Sequence, residues 1–170
     1  MTLEFPSKFM LVTAQNPCPC GFFGDDKKQC TCTNSQIKLY QQRISGPLLD
    51  RIDIHLTINR VKHDELEKTS DNTLNIKKQI IEAREIQKQR FLHDGIITNS
   101  EMNLRLIKKY CQIPEEAKKL LSIAVEKYNL SARGYFRVLK VSRTIADLEN
   151  SENIKLEHIA EALQYRKIEN

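Results

Sequence analysis

The sequence predicts an α+β protein: a partial α/β layer of about two strands with a zinc-type cysteine loop, followed by a mainly helical bundle. Three observations carry this. Phe9 to Ala14 is apolar apart from Thr13 and is bracketed by Pro6 and Pro17, as in a strand covered on both faces. Ile52, Ile54, Leu56 and Ile58 alternate with Asp53, His55 and Thr57, the period of two that marks a half-buried strand. Beyond Asn72, each segment carries apolar residues at helical spacing.

Taken in order, the first strand ends at Asn16, which precedes a proline and is biased to extended backbone. Residues 17–33 form the loop that holds Cys18, Cys20, Cys30 and Cys32. Ser35 is placed to cap a short helix with Ile37, Tyr40 and Ile44 on one face, stopped by Gly46-Pro47. The alternating strand follows, and His63 to Asn72 reads as a polar linker. Helices are then expected over Asn72 to Leu92, over Ser100 to Cys111, and from Pro114 to about Tyr128. Ser131 is placed to cap a long helix with Tyr135, Val138, Leu139, Ser142, Ile145 and Ala146 at core spacing. A last helix spans 155–167 through Ile159, Leu163 and Tyr165. Two strands make a poor sheet by themselves, which points to further sheet upstream.

The balance of 27 basic against 22 acidic residues, a formal charge of +5, permits phosphate contact without defining a nucleic-acid surface. The apolar runs are too short to span a bilayer, and the N-terminus lacks a signal-peptide pattern. Five cysteines in such a chain fit thiolates on a metal in a reducing cytoplasm better than a disulfide framework. Four thiolates close a tetrahedral zinc shell, and a closed shell is structural rather than catalytic. Cys111 reads as a small buried hydrophobe.

Among the charged residues, Arg51 has a ready salt-bridge partner in Asp50 or Asp53. Arg133 falls in the first turn of its helix, where a cation opposes the dipole unless an anion is nearby. Arg137 and Lys140 continue its stripe and read as a solvated face. Lys77, Lys78, Arg84, Lys88 and Arg90, interleaved with Glu82 and Glu85, read as a solvated helix. The four histidines form no ligand or catalytic pair. No Gly-x-x-x-x-Gly-Lys-Ser/Thr phosphate loop occurs, so this chain alone is not expected to hydrolyse a nucleotide.

Five stretches stand in order: Asn16-Pro-Cys-Pro-Cys-Gly21, Ser45-Gly-Pro-Leu-Leu-Asp-Arg-Ile-Asp53, Leu130-Ser-Ala-Arg-Gly-Tyr-Phe-Arg137, Ser142-Arg-Thr-Ile-Ala-Asp-Leu148 and Ala162-Leu-Gln-Tyr-Arg166. Together they resemble the C-terminal part of the magnesium-chelatase-like AAA+ ATPases. The nearest group is the competence-associated one, hexameric helicases that drive DNA branch migration in natural transformation. The resemblance implies that Asn16 is sensor 1, orienting the attacking water. It implies that Arg51 is the arginine finger reaching a neighbouring subunit's nucleotide. Arg133 becomes sensor 2, a nucleotide-binding residue that couples the lid to ATP, and the helix after Asn72 becomes the helix inserted before sensor 2.

On this resemblance, residues 1–62 are the C-terminal portion of the AAA+ core, 63–98 a linker and inserted helix, and 99–170 the helical lid. ATP and magnesium are cofactors of the full-length protein, self-association into a hexameric ring and DNA are its partners, and zinc is structural. Met1 followed by mid-domain sequence suggests a fragment or truncated reading frame. The competing readings are a non-enzymatic zinc-containing module that binds DNA or protein, and an ATPase for metal insertion into a tetrapyrrole.

Overall fold

The computed structural model describes residues 3, 9–58 and 73–166. The proposed linker His63 to Asn72 and the end of the last helix at 167 lie outside the described residues. Contacts divide the chain into two units, Met1–Ser45 and Gly46–Asn170.

In Met1–Ser45, the run Phe9 to Ala14 is not a strand within any sheet among the described residues. Phe9 and Met10 are 74% and 88% exposed. An apolar run becomes a strand only when a neighbour's N–H and C=O groups complete its ladder, and no such neighbour is described beside it. Past Pro17 the chain folds tightly. Gly21 N–H donates to the Cys18 carbonyl at 3.0 Å, and Gly21 and Gly24 hold φ of 81° and 83°, a left-handed backbone that glycine adopts without a Cβ clash. Asp25 closes the next turn by accepting from the Lys27 and Lys28 amides at 2.8 and 2.9 Å.

Helix α1, Asn34–Gln41, is capped by Thr33 rather than Ser35. Thr33 and Gln36 exchange side-chain and backbone hydrogen bonds as a capping box, and only the Thr33 spacing sets a glutamine three residues on. Ile37 is the buried residue of α1. Gln41 reaches back to the Pro17 carbonyl at 3.1 Å, closing the cysteine loop onto the helix.

The described residues of Gly46–Asn170 lie mostly in helices. A single turn, α2 (Gly46–Leu49), leads into residues 50–58, which do not form the expected second strand. Ile54, Leu56 and Ile58 are exposed. One backbone bond, His55 N–H to the Tyr165 carbonyl at 2.8 Å, joins this segment to the end of the last helix. The helices that follow are α3 (Thr73–Arg90), α4 (Leu104–Tyr110), α5 (Glu115–Tyr128), α6 (Ala132–Leu148) and α7 (Leu156–Gln164).

Local chemistry sets the boundaries. The helix expected over 100–111 is split into a 3-10 turn, Asn99–Glu101, and α4, because Asn103 caps a fresh start by accepting from the Leu106 amide. Pro114 is the N-cap of α5, not its first-turn residue, and Asn129 ends α5 at φ 47°. Ser131 caps α6 through the Gly134 amide at 3.0 Å.

Helix α6 is the hub, packing against α3, α4, the 3-10 turn and α7, while α5 also packs on α7. The core joins Phe91, Met102, Leu106, Ile107, Ala117, Leu121, Val138, Ile154 and Ile159. Each fully buried aliphatic side chain here contributes about 1.5–3 kcal/mol from desolvation. No helix among the described residues is long and apolar enough to cross a membrane.

Candidate functional site

The cysteine loop brings Cys18, Cys20, Cys30 and Cys32 together, with all four Sγ atoms within 4.8 Å of one another. The Cys18–Cys20, Cys20–Cys30 and Cys18–Cys30 sulfur separations are 3.3, 3.5 and 3.7 Å. A tetrahedral zinc with Zn–S bonds of about 2.3 Å has sulfur–sulfur edges of ~3.8 Å, so the donor set fits that ion. No cysteine is in a disulfide.

The thiols are electrostatically unequal. Backbone hydrogen bonds at Phe22 and Thr31 hold Cys20 down at about 5. At Cys30 the backbone at Cys32 also pulls down, but desolvation and hydrogen bonding to Cys20 and Cys18 outweigh it, and Cys30 is pushed up to about 12. Cys20 is thus held toward the thiolate and Cys30 toward the thiol, and a divalent cation held by these four sulfurs would supply charge that favours the thiolate form. Asn16, at the entrance to this loop, is exposed, with its amide about 4.0 Å from the Cβ position of Gly21.

In the helical unit the Asp50–Asp53 turn is held from both sides. Asp50 accepts from Arg166 at 3.1 Å and from the Ser131 hydroxyl at 3.1 and 3.2 Å. Asp53 pairs with Arg137 at 2.8 Å. Both carboxylates open to Arg51 are thus engaged by other groups. Arg51 itself is exposed and donates to the Pro47 carbonyl at 3.3 Å; it makes no ion pair among the described residues. The salt bridge to a neighbouring aspartate is replaced by this arrangement because the aspartates face the helices.

Arg133, the second residue of α6, is exposed and has no ion pair or side-chain hydrogen bond among the described residues. It borders an open groove of about 340 Å³ with Leu104, Ile107, Phe136, Arg137 and Lys140. An anion already stands at the start of α6. Asp50 already places a carboxylate at the capping Ser131 of α6, where negative charge is favourable. Arg137 and Lys140 are not a solvated face. Arg137 also donates to the Arg51 carbonyl, and Lys140 reaches the Ser100 carbonyl at 2.8 Å. Burial holds the Lys140 amine below its ordinary range.

Sequence reasoning missed a buried polar network. Asp147, fully buried, accepts from Arg90 at 2.5 and 2.7 Å, from Arg143 at 3.1 Å and from Asn99 at 2.7 Å. Arg90 therefore leaves the solvated set of α3, whose surface pairs are Lys78–Glu82 and Lys88–Glu85. The available signal was Arg143 and Asp147, opposite charges four residues apart within a run otherwise spaced for the core. His158 is also part of a buried polar arrangement. Wholly buried, it accepts the Lys155 amide at Nδ1 and meets Glu149 through Nε2 at 2.9 Å. Cys111 is buried in the core as expected, and burial pushes its thiol up to about 12.

The chain thus combines a four-thiol loop able to take a tetrahedral metal with a set of helices centred on α6. Residues 70–166 match the family described as Magnesium chelatase, subunit ChlI C-terminal, and residues 1–66 match Magnesium chelatase, subunit ChlI. The chain belongs to this magnesium chelatase family. It is 36% identical over 167 residues to Competence protein ComM of Haemophilus influenzae, covering 96% of this chain and 32% of that protein. It is 34% identical over 170 residues to the uncharacterized protein YifB of Salmonella typhimurium, covering 98% and 32%. An uncharacterized Mycobacterium tuberculosis protein is 31% identical over 164 residues, covering 96% and 32%. The chain thus spans about a third of the length of the curated relatives it matches.

Proposed function

We propose that this chain supplies sensing and trans-acting residues to a magnesium-chelatase-like AAA+ ATPase that remodels DNA as a hexameric ring, with zinc bracing the cysteine loop. In that reading Arg51 reaches the nucleotide of an adjacent subunit and stabilises charge developing on the transferred phosphoryl group, an effect of roughly 10³-fold or more. Asn16 orients the attacking water. Arg133 reports the nucleotide's state to the helical unit. The bound ATP with magnesium supplies the phosphoryl group and the charge neutralisation; the residues here position and read it. Cys18, Cys20, Cys30 and Cys32 hold the zinc.

The observation that carries the reading is the state of Arg51: a solvent-facing guanidinium whose two flanking carboxylates are engaged elsewhere. An exposed arginine with no ion pair among the described residues, held only by a carbonyl at 3.3 Å, is available to a phosphate from outside the chain. The relative named as a competence protein favours DNA over a tetrapyrrole as the target. In the full-length subunit, Arg51→Ala is expected to abolish ATP turnover while leaving nucleotide binding largely intact, measured by phosphate release and by titration with a fluorescent ATP analogue. Undiminished turnover sinks the finger assignment.

A further inference from the structure

Two arginines, a serine and a backbone bond clamp the stretch around Arg51 to the helices. Arg166, at the end of α7, is nine-tenths buried. It donates to the Asp50 carboxylate at 3.1 Å and to the Ile52 carbonyl at 2.9 Å. Arg137, in the second turn of α6, donates to Asp53 and to the Arg51 carbonyl. Each arginine thus takes one side chain and one backbone oxygen, and the two sets interleave along residues 50–53. Ser131, the cap of the same α6, holds Asp50 from a third direction, and the His55 amide is tied to Tyr165. Every one of these anchors comes from α6, its cap, or the end of α7. The only side chain of the Asp50–Asp53 turn that is both charged and unclaimed by them is Arg51.

The geometry points to Arg137 and Arg166 as positioning residues for Arg51, which makes the Arg51 turn a part of the helical unit. The inference rests on the reading of Arg51 as the finger, and it adds what sets the finger's place. Rotation of α6, which carries Arg133, carries Arg51 with it. The sensing residue and the acting residue are mounted on one body. A charge-assisted clamp with a carbonyl in each arm fixes backbone direction as well as position, which a finger needs in order to meet phosphoryl oxygens at hydrogen-bond distance.

The test has two arms. In the 170-residue chain, amide exchange is measured at Arg51 and Ile52, which donate to the Leu48 and Leu49 carbonyls, and at His55, which donates to the Tyr165 carbonyl. Arg137→Met, Arg166→Met and the surface variant Asp53→Asn are expected to speed exchange there while leaving Leu121 and Ala124 of α5 protected. Unchanged exchange in all three variants overturns the clamp. In the full-length subunit, Asp53→Asn and Arg137→Met are expected to lower kcat for ATP about 10- to 100-fold, the scale of an ångström-sized misplacement. KM is expected to hold within about twofold, and Asp53→Glu to recover most of the loss. A rise in KM at unchanged kcat, or unaltered turnover despite loosened exchange, overturns positioning. A normal kcat in Arg51→Ala instead strikes the finger reading, and the exchange arm is untouched by that result.

Discussion

In Gly46–Asn170, side chains from α3 to α7 close around one another, and Ala117, Leu121, Val138, Ala146 and Ile159 have essentially no exposed surface. Among the described residues of Met1–Ser45, Cys18 is fully buried and Ile37 of α1 is next, while Phe9, Met10, Leu11 and Val12 face solvent. The helical unit is held by apolar burial. The described residues of the cysteine unit supply turns, a capping box and four converged thiols rather than an apolar cluster. A segment of that size buries too little surface to offset its conformational entropy, and a structural metal is a common remedy. The contrast teaches that the zinc reading and the lid reading are separable claims about separate pieces of chain.

The most severe way to break the contrast is to remove the metal. One zinc per chain is expected by elemental analysis in reducing buffer, and a strong chelator is expected to release the amides of residues 18–41 to fast exchange while those of α6 stay protected. Loss of protection in both units together would show a single cooperative structure. Zinc absent from the purified chain would remove the metal claim.

A smaller effect, confined to the other unit, comes from Asp147. Removing one partner of a buried ion pair strands the others without compensation. Asp147→Ala leaves Arg90, Arg143 and Asn99 facing a void, and about 3–5 kcal/mol of stability is expected to go, read by urea denaturation. Zinc content is expected to be unchanged. A loss near zero would mean that the arginines find other partners.

The finest effect concerns acid. Tyr110, donating at 2.7 Å, and then Lys109 and Arg105 hold the Asp94 carboxyl below its ordinary value of 3.8. A depressed carboxylate stabilises the fold above its unfolded value and loses that contribution as pH falls through its folded one. Asp94→Asn is therefore expected to lower the melting temperature slightly at neutral pH, with the difference from the parent chain closing below about pH 4. A gap that stays constant across that range removes the electrostatic account of Asp94.

Much of the helical unit was legible because its signals are local. Ser131 as cap, Tyr128 as the end of α5, and the Val138–Ile145–Ala146 face follow from spacing and capping chemistry alone. The four cysteines were legible for the same reason, since a Cys-x-Cys pair turns back on itself within a few residues. The two strands were read from correct apolar patterns that this structure does not pair. Apolar alternation describes a surface wanting cover, and only a neighbouring strand turns it into a ladder. Ser35 lost the cap to Thr33 because a box is settled by the residue three positions on, here Gln36.

For the candidate site, residue types and order were determined by the sequence: thiols that can take a tetrahedral metal, an arginine between two aspartates, and an arginine at a capped helix start. Which charges meet was decided only by tertiary structure. Asp50 went to Arg166 and Ser131, Asp53 to Arg137, and Asp147 to an arginine fifty-seven residues away. Periodicity and capping act within a few residues and can be read along the chain. An ion pair forms between whichever groups the packed helices bring within about 4 Å, and that distance is a property of the fold.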